Sequence, residues 1–284
     1  MMLMDFSQIV LSSIMAQIGN HKNIEMDENM IRHVALNSIR YNNAKFKHQY
    51  GELIICTDNK NYWRRDIFPY YKAMRKERQK DSELDWNLLF NGISNVRKDL
   101  IEYFPYRVID VDKAEADDII GTLVHEYGTV LNTPKSEPIL IISRDKDFIQ
   151  LHKYANVKQW DSVNKAWVKH SDPDAYLFEH TIKGDSGDGV PSILCDDDHF
   201  VMKKPIRRVT QKRLNKWKSG DFTEEEKRNF ARNENLVNLT KIPKNISEEI
   251  LRQYNTENTK DRSKLYNYFI KYRLRNLVEH ISEF

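Results

Sequence analysis

Four short apolar segments, separated by stretches long enough to form helices, occupy the first half of this 284-residue chain. They are residues 3–6, 53–56, 106–109 and 138–143. Strands that are apolar on both faces are typical of parallel sheets with helices packed on each side. We therefore predict an α/β fold with a mostly parallel central sheet flanked by helices.

Helix signals fill the intervals between these segments. One stretch repeats apolar residues at the 3, 4, 3, 4 spacing of a single helix face: Trp86, Leu89, Ile93, Val96 and Leu100. Asp27 predicts the cap of a long helix that ends near Gly51. Residues 112–115 predict the start of another helix, which stops at Gly128.

The character of the chain changes after about residue 170. Asp172 and Pro173 predict the cap and first turn of a helix. Mainly helical and strongly basic sequence follows, and it ends in a predicted helix around residues 264–280. We therefore divide the chain into an α/β core, residues 1–182, and a helical part, residues 183–284, that packs on the core.

An acidic residue stands at the end of, or soon after, each of the four predicted strands. The full set is Asp5 and Asp58 after the first two strands, Glu115, Asp117 and Asp118 after the third, Asp145 and Asp147 after the fourth, and Asp185 and Asp188 in a later turn. In open parallel sheets, ligands bind outside the carboxyl ends of the strands, so we expect these acids to converge. Any one of them could be a helix cap or a turn residue, but capping does not explain an acid after every strand.

This many carboxylates cannot stay ionised in one pocket unless cations compensate them. Oxygen ligands without paired His or Cys indicate hard ions such as Mg²⁺ or Mn²⁺. Two such ions can clamp a phosphodiester, one activating water and the other stabilising the departing oxygen. An aspartyl-phosphate at Asp5 is a minor alternative. Six scattered histidines are predicted to be structural or exposed: His33, His48, His125, His152, His170 and His180.

Two basic segments are candidates for nucleic-acid binding. Residues 60–80 carry eight Lys and Arg against two acids and interleave them with aromatic residues. Aromatic faces can stack unpaired bases while cations hold phosphates. The alternative is an amphipathic surface helix whose aromatic residues belong to the core.

The second segment, residues 203–218, is called the basic run here; it carries eight Lys and Arg and no acid. Contacts to the phosphate backbone carry no base identity, so we expect structure-specific rather than sequence-specific binding. The residues we expect on duplex phosphates include Lys203, Lys204, Arg207, Arg208, Lys212 and Arg213. A solvated basic helix is the alternative.

Composition excludes several classes of protein. Cys56 and Cys195 are the two cysteines, too few for a disulfide framework or a cysteine-based zinc site. No apolar stretch is long enough to span a membrane, and the start of the chain lacks the basic region of a signal peptide. We therefore expect a soluble, cytoplasmic protein.

Five acidic motifs, taken in order, resemble the flap endonuclease/5′-nuclease family, and most closely its T-even bacteriophage ribonuclease H branch. They are MDFSQ with Asp5, CTDN with Asp58, EADD at 115–118, SRDKD at 143–147 and GDSGDGVPS at 184–192. The likeness extends through 62–66, 70–75 and 150–160 and covers essentially the whole chain. It implies a PIN-like nuclease core and, in the C-terminal part, a partial helix–hairpin–helix-like element.

The resemblance also implies roles for individual residues. It implies metal binding by Asp5, Asp58, Glu115, Asp117, Asp145, Asp147, Asp185 and Asp188, and we include the adjacent Asp118. It makes residues 60–85 an arch segment that threads or clamps a 5′ single strand. Lys72 and Arg75 would reach the scissile phosphate, Tyr71 would stack a terminal base, and Arg64 and Arg65 would hold phosphates.

The implied activity is that of a Mg²⁺-dependent 5′→3′ exonuclease and flap endonuclease with two ions, which Mn²⁺ can replace. Its substrates would be RNA/DNA hybrids and duplex or flap DNA, as in removal of lagging-strand primers during phage replication in the host cytoplasm. The resemblance also implies a monomer, with a phage single-stranded-DNA-binding protein or sliding clamp as candidate partner. Two alternatives stay open: a PIN-type single-strand endoribonuclease, and a structure-specific DNA-binding protein without activity.

Overall fold

The computed structural model describes residues 1–20, 26–80, 84–131, 133 and 136–284. Within that part of the chain, six strands form one sheet in the order β3-β2-β1-β4-β5-β6. The strands are β1 Met2–Asp5, β2 Leu53–Cys56, β3 Arg107–Ile109, β4 Ile139–Ile142, β5 Val157–Asp161 and β6 Ala166–Val168. The first five are parallel, and β6 runs antiparallel to β5.

The strand order reverses between β1 and β4. The chain runs from β1 outward through β2 to β3, and then crosses back to place β4 on the other side of β1. Such a switch point leaves a crevice at the carboxyl ends of the two central strands, because the connections leave in opposite directions. Asp5 closes β1 opposite Cys56 of β2, so its side chain stands at the edge of this crevice.

Twelve α-helices and three short 3-10 helices are present in the described residues. The α-helices are α1 Phe6–Asn20, α2 Glu28–Tyr50, α3 Trp63–Ile67, α4 Arg75–Lys80, α5 Trp86–Tyr103, α6 Ala116–Tyr127, α7 Pro173–Lys183, α8 Gln211–Lys218, α9 Glu224–Val237, α10 Lys244–Asn255, α11 Leu265–Lys271 and α12 Arg275–Val278. The 3-10 helices are Lys146–Lys153, Leu239–Lys241 and Ile281–Glu283.

Each face of the sheet has its own apolar core. One face is covered by α1, α2 and α5 together with α11 and α12 from the C-terminal part. The other face is covered by α6 and the 3-10 helix Lys146–Lys153, together with α10. Strands β1, β2 and β4 are fully buried, as their continuous apolar sequence predicts. The C-terminal part therefore covers both faces of the sheet.

Two smaller clusters tie the remaining elements together. Phe68 and Tyr71 of the arch segment pack with Val190, Leu236 and Val237. A second cluster buries Ile182, Ile193, Leu214 and Trp217 between α7, α8 and α9. The first cluster holds the base of the arch against the turn that follows α7.

The predicted fold class is confirmed, and several boundaries differ from the expectation. Strands β5 and β6 were not predicted, because polar residues interrupt the apolar sequence of β5 and because β6 has only three residues. The basic run is helical only from Gln211, and the predicted C-terminal helix is interrupted at Arg273, which adopts a φ of 56°. Helix α6 starts after Glu115, whose side chain forms a capping box with Asp118, rather than near residue 112.

Residues 81–83 of the predicted arch lie outside the described part of the chain. In the residues that are described, no helix is both long and apolar enough to cross a bilayer.

Candidate active site

Asp5 lies at the centre of the crevice and is held by two hydrogen bonds. The Gln8 backbone N–H donates to its Oδ1 at 3.2 Å, because α1 begins directly after β1. The Ser143 hydroxyl, just past the end of β4, donates to its Oδ2 at 3.1 Å. These donors fix the orientation of a carboxylate that is only 5% exposed.

The neighbouring strand ends deliver Asp58, Asp117 and Asp145 to the same place; with Asp5 we call these the central acids. The Ala116 N–H, at the start of α6, donates to Asp58 Oδ1 at 3.0 Å. Asp145 caps the 3-10 helix that follows β4 and accepts from the Asp147 N–H at 2.9 Å. Each central acid thus stands at the start of a helix or the end of a strand.

The central acids repel one another. Burial, followed by repulsion from Asp58 and Asp145, raises the pKa of Asp5 to about 8. Burial, followed by repulsion from Asp147, raises the pKa of Asp145 to about 7. Burial and the charges of Asp145 and Asp5 raise the pKa of Asp117 well above its usual value. Such shifts arise where buried carboxylates lack compensating cations.

Glu115 and Asp118 are, by contrast, paired with cations. The buried Arg64 guanidinium donates to Glu115 Oε2 at 2.9 Å and lies 2.8 Å from Asp118 Oδ1. The Trp63 indole N–H donates to Asp118 Oδ2 at 3.1 Å, and the Lys72 ammonium donates to Glu115. Asp118 is fully buried, where it takes part in the capping box of α6 and pairs with Arg64. We had predicted Asp118 as one of the metal-binding acids, but the structure places it apart from the central acids.

Asp188 is the third cation-paired acid. Arg75 donates to its Oδ1 at 2.6 Å, and the Lys72 ammonium lies 3.5 Å from its Oδ2. Burial alone would raise the pKa of Asp188, but Lys72 and Arg75 outweigh it and lower the pKa. The turn and the arch are also joined through the backbone, because the Lys72 N–H donates to the Asp188 carbonyl at 2.7 Å.

A separate group of possible ligands lies near Asp145. Ligand atoms of Asp147, His180 and Asp185 all lie within 4.8 Å of one another, and we call these three residues the flanking site. Burial lowers the pKa of His180, but Asp147 and Asp185 outweigh it, so the net shift is upward. His180 was predicted to be structural or exposed; the structure places its ring beside the carboxylates of Asp147 and Asp185.

The arch residues divide into buried and exposed sets. Tyr71 is 3% exposed and its hydroxyl lies 3.0 Å from Glu115 Oε2 and 2.9 Å from Asp188 Oδ2, so in this conformation it cannot stack a base as predicted. Arg64 is likewise buried and unable to hold a phosphate. Arg65 and Arg75 are exposed, and Lys72 is buried against Glu115.

The basic run is largely exposed, as expected of a surface for phosphates. Arg207, Arg208, Lys212 and Arg213 face solvent. Two lysines at its start are tied to acids: Lys203 to Glu77 of α4 at 2.8 Å, and Lys204 to Asp196 and Asp198 at 2.8 and 2.7 Å. The start of the run is therefore joined both to the arch and to residues 196–198.

The residues present fit divalent metal ions. The four central acids lie together without a paired cation in the described residues, and the pKa values of Asp5, Asp117 and Asp145 are raised by burial and by the neighbouring carboxylates. Carboxylate oxygens are the ligands that Mg²⁺ and Mn²⁺ take. A parallel sheet with clustered acids at its carboxyl edge is the arrangement expected of a metal-dependent hydrolase of phosphodiesters.

Comparisons with known proteins agree with this class. Residues 2–179 match the family model described as 5′-3′ exonuclease, N-terminal resolvase-like domain, and residues 172–284 match the model described as T4 RNase H, C terminal. The chain is 36% identical to the ribonuclease H of Enterobacteria phage T4 over 99% of this chain and 95% of that protein. The chain belongs to this 5′-nuclease family, in the branch of the T4 enzyme, and is a hydrolase.

More distant matches share part of the chain or only the fold. The flap endonuclease Xni of Shewanella piezotolerans is 32% identical over 51% of this chain and 55% of its own length. A crystal structure of the bacteriophage T5 flap endonuclease with DNA and metal ions has a TM-score of 0.57 at 16% identity, covering 89% of this chain and 98% of that one. The fold is therefore that of a flap endonuclease.

Proposed function

We propose that this protein is a metal-dependent 5′→3′ exonuclease and flap endonuclease. It hydrolyses phosphodiesters of RNA/DNA hybrids and of duplex or flap DNA, and it removes lagging-strand RNA primers during phage DNA replication. The chain would act as a monomer in the cytoplasm of the infected host cell. A phage single-stranded-DNA-binding protein or sliding clamp is the kind of partner such an enzyme would meet at a replication fork.

One observation carries this proposal: uncompensated acids stand directly beside an arch rich in cations. Asp5, Asp58, Asp117 and Asp145 would attract metal ions, while Lys72 and Arg75 of the arch contact Asp188 at the rim of the same crevice. A phosphodiester bridging the two would meet positive charge on both sides. A module that only bound DNA would gain nothing from buried negative charge next to a phosphate.

We assign two Mg²⁺ ions to the acids, one at the central acids and one at the flanking site, and we expect that Mn²⁺ can replace them. Bound divalent ions polarise the phosphate and lower the pKa of an attacking water. Gln8 and Ser143 orient Asp5 for this task, because each donates a hydrogen bond to one of its carboxylate oxygens. Lys72 and Arg75 would exchange their contacts with Glu115 and Asp188 for the phosphate and stabilise the charge that develops on it.

Substrate recognition would be by shape. The exposed cations of the basic run would hold duplex phosphates, and the arch segment would hold the 5′ single strand. The core at residues 1–182 would carry the chemistry and the part at residues 183–284 would grip the duplex. Because phosphate contacts do not read bases, cleavage would follow the junction between single and double strand rather than a sequence.

Asp145→Asn tests the metal role of the central acids. We expect loss of Mg²⁺-dependent cleavage of a 5′-flap by about 100-fold or more, because one ligand and its charge are removed, while binding to the same flap stays measurable. Asp174→Asn, an exposed acid at the start of α7, is the matched control. Full cleavage by Asp145→Asn, or cleavage by the parent protein in excess chelator, would contradict the proposal.

The same assay separates the alternatives. A PIN-type endoribonuclease would cut free single-stranded RNA faster than a 5′-flap or a primed hybrid. A binding protein without activity would bind the flap in Mg²⁺ and leave it intact. We expect the flap and the hybrid to be the better substrates, because the arch and the basic run contact both parts of a junction.

A further inference from the structure

The flanking site differs from the rest of the acid set because it contains a nitrogen ligand. His180 Nε2 lies 3.1 Å from Asp147 Oδ1, and the ligand atoms of Asp147, His180 and Asp185 are all within 4.8 Å of one another. Ligands held about 2.1 Å from one ion lie about 3 to 4.2 Å apart. The three side chains therefore already have nearly the spacing of a coordination shell.

The His180 Nε2 atom forms a charge pair with Asp147 but no well-aligned hydrogen bond in the described residues. Nε2 is buried and, among the residues that the structure describes, has no partner with acceptable hydrogen-bond geometry. A buried polar atom without a hydrogen bond costs free energy, so a role that depends on its lone pair would account for it. Its close approach to Asp147 is a contact between two potential ligands rather than a well-formed hydrogen bond.

The local fold holds this arrangement in place. His180 lies in the last turn of α7, where the Gly184 N–H donates to its carbonyl at 2.8 Å, and Asp185 begins the turn that follows. The Tyr176 ring stacks on the imidazole at 5.8 Å between centroids. Asp147 is supplied by the 3-10 helix Lys146–Lys153, on which α7 packs.

An ion could reach this site from solvent. Asp147, His180 and Asp185 line one wall of a cavity of about 900 Å³, which also borders Gln8 and Arg144. The cavity leaves room for waters to complete a coordination shell and for an oxygen of a substrate to replace one of them.

We propose that His180 is a direct metal ligand, and that with Asp147 and Asp185 it makes the flanking site prefer Mn²⁺ to Mg²⁺. Imidazole suits transition metals, whereas Mg²⁺ takes oxygen ligands almost exclusively. The central acids, an all-oxygen set, would show no such preference. This inference rests on the metal dependence in the proposed function and gives its two ion positions different selectivity.

Spectroscopy of Mn²⁺ bound to the full chain tests the assignment directly. Pulsed electron paramagnetic resonance should detect coupling of bound Mn²⁺ to an imidazole ¹⁴N in the parent protein, and this signal should vanish in His180→Asn. Titration should show that His180→Asn weakens Mn²⁺ binding at one of the two sites by about 10- to 100-fold, with a smaller change for Mg²⁺. His48→Asn, an exposed histidine on α2, should leave both readouts unchanged.

The outcomes are distinct. Absence of nitrogen coupling in the parent protein, or its survival in His180→Asn, would overturn the ligand role. Equal losses of Mn²⁺ and Mg²⁺ affinity would overturn the selectivity, because His180 would then only position Asp147. If the parent protein bound Mn²⁺ through nitrogen but cleaved neither flap nor hybrid, the proposed function would fail while this inference stood.

Discussion

Asp5 is a buried acid that the fold holds among other acids. A carboxyl whose pKa is higher in the folded chain than in the unfolded one binds its proton more tightly when folded. Its contribution to the free energy of unfolding is therefore fully present below its ordinary value of 3.8 and is lost as pH rises to about 8. The metal-free protein should thus become less stable through this pH range.

Asp5→Asn should remove part of that loss. In chelator at about pH 8, we expect a Tm above that of the parent protein by about 2 to 4 °C for each kcal/mol of repulsion relieved. Calorimetry across the pH range checks it, with Asp174→Asn as control. A Tm that declined with pH equally in Asp5→Asn and the parent would contradict the reading of Asp5 as an uncompensated acid.

Arg64 is a structural cation rather than a nucleic-acid contact. It joins Glu115 and Asp118 to the Leu236 carbonyl, to which its Nε donates at 2.7 Å. Arg64→Ala would leave two buried carboxylates without their partner, so we expect a loss of about 3 to 5 kcal/mol in the free energy of unfolding. Urea unfolding measures it.

Arg65→Ala is the matched control, because Arg65 is adjacent but exposed. Its removal should cost about 1 kcal/mol or less. Similar losses in the free energy of unfolding for Arg64→Ala and Arg65→Ala would contradict the structural role assigned to Arg64.

At the residue scale, the sequence identified which acidic, basic and aromatic residues belong to the site, but it did not show which of them are buried. Acids after strands were visible as a pattern, whereas the pairing of Arg64 with Leu236 spans 172 positions and leaves no local signal. Tyr71 and Arg64 looked like surface residues because they stand in a basic, aromatic segment. His180 was not singled out in the sequence because Asp147, which its ring contacts, belongs to a different segment of the chain and leaves no recognisable spacing between the two residues.

At the scale of elements, the turn after α7 places Asp185 and Asp188. Gly184 adopts a φ of 69°, and a Cβ there would come within 2.3 Å of the Val190 carbonyl oxygen. Gly184→Ala should therefore shift the turn and lower kcat/KM for flap cleavage by about 10-fold or more, because misplacing a catalytic group by about 1 Å is that costly.

Gly220→Ala is the control for backbone strain alone. Gly220 also has a positive φ, 83°, but a Cβ there would meet nothing within 4 Å. We expect a cost in stability of about 1 to 2 kcal/mol and unchanged kcat/KM. Equal losses of activity in the two variants would show that strain, rather than displacement of the turn, explains the effect.

Elements with a strong apolar period were predictable, and short or polar ones were not. Helix α5 shows one clear apolar face, and α2 has a capping Asp27 whose side chain accepts from the Met30 N–H. Strand β6 is three residues long and half exposed, so its sequence carries little signal. The C-terminal helix was overextended because Arg273 takes a backbone conformation that nothing in its residue type announces.

At the scale of the whole molecule, the sheet depends on the C-terminal part. Leu265 and Phe269 of α11 belong to the core on one face, and Ile246 and Ile250 of α10 belong to the core on the other. A fragment ending at residue 182 would expose apolar surface on both sides. We expect it to aggregate or remain unfolded when expressed alone.

Circular dichroism and sedimentation of that fragment, with and without the complementary fragment 183–284, check this expectation. Recovery of the folded state should require both pieces. A monomeric, cooperatively folded fragment 1–182 would contradict the dependence and support the two-part division as one of independent domains.

The small apolar cluster between α7, α8 and α9 has a consequence for the construction of chimeric proteins. Its buried members, Ile182, Ile193, Leu214 and Trp217, contact one another rather than the sheet. A chimera that exchanged everything after residue 182 would have to rebuild two foreign interiors at once. An exchange limited to α7 through α9 would carry this interior with it and would have to match the arch at Val190, Leu236 and Val237, while the sheet and its other covering helices stay native.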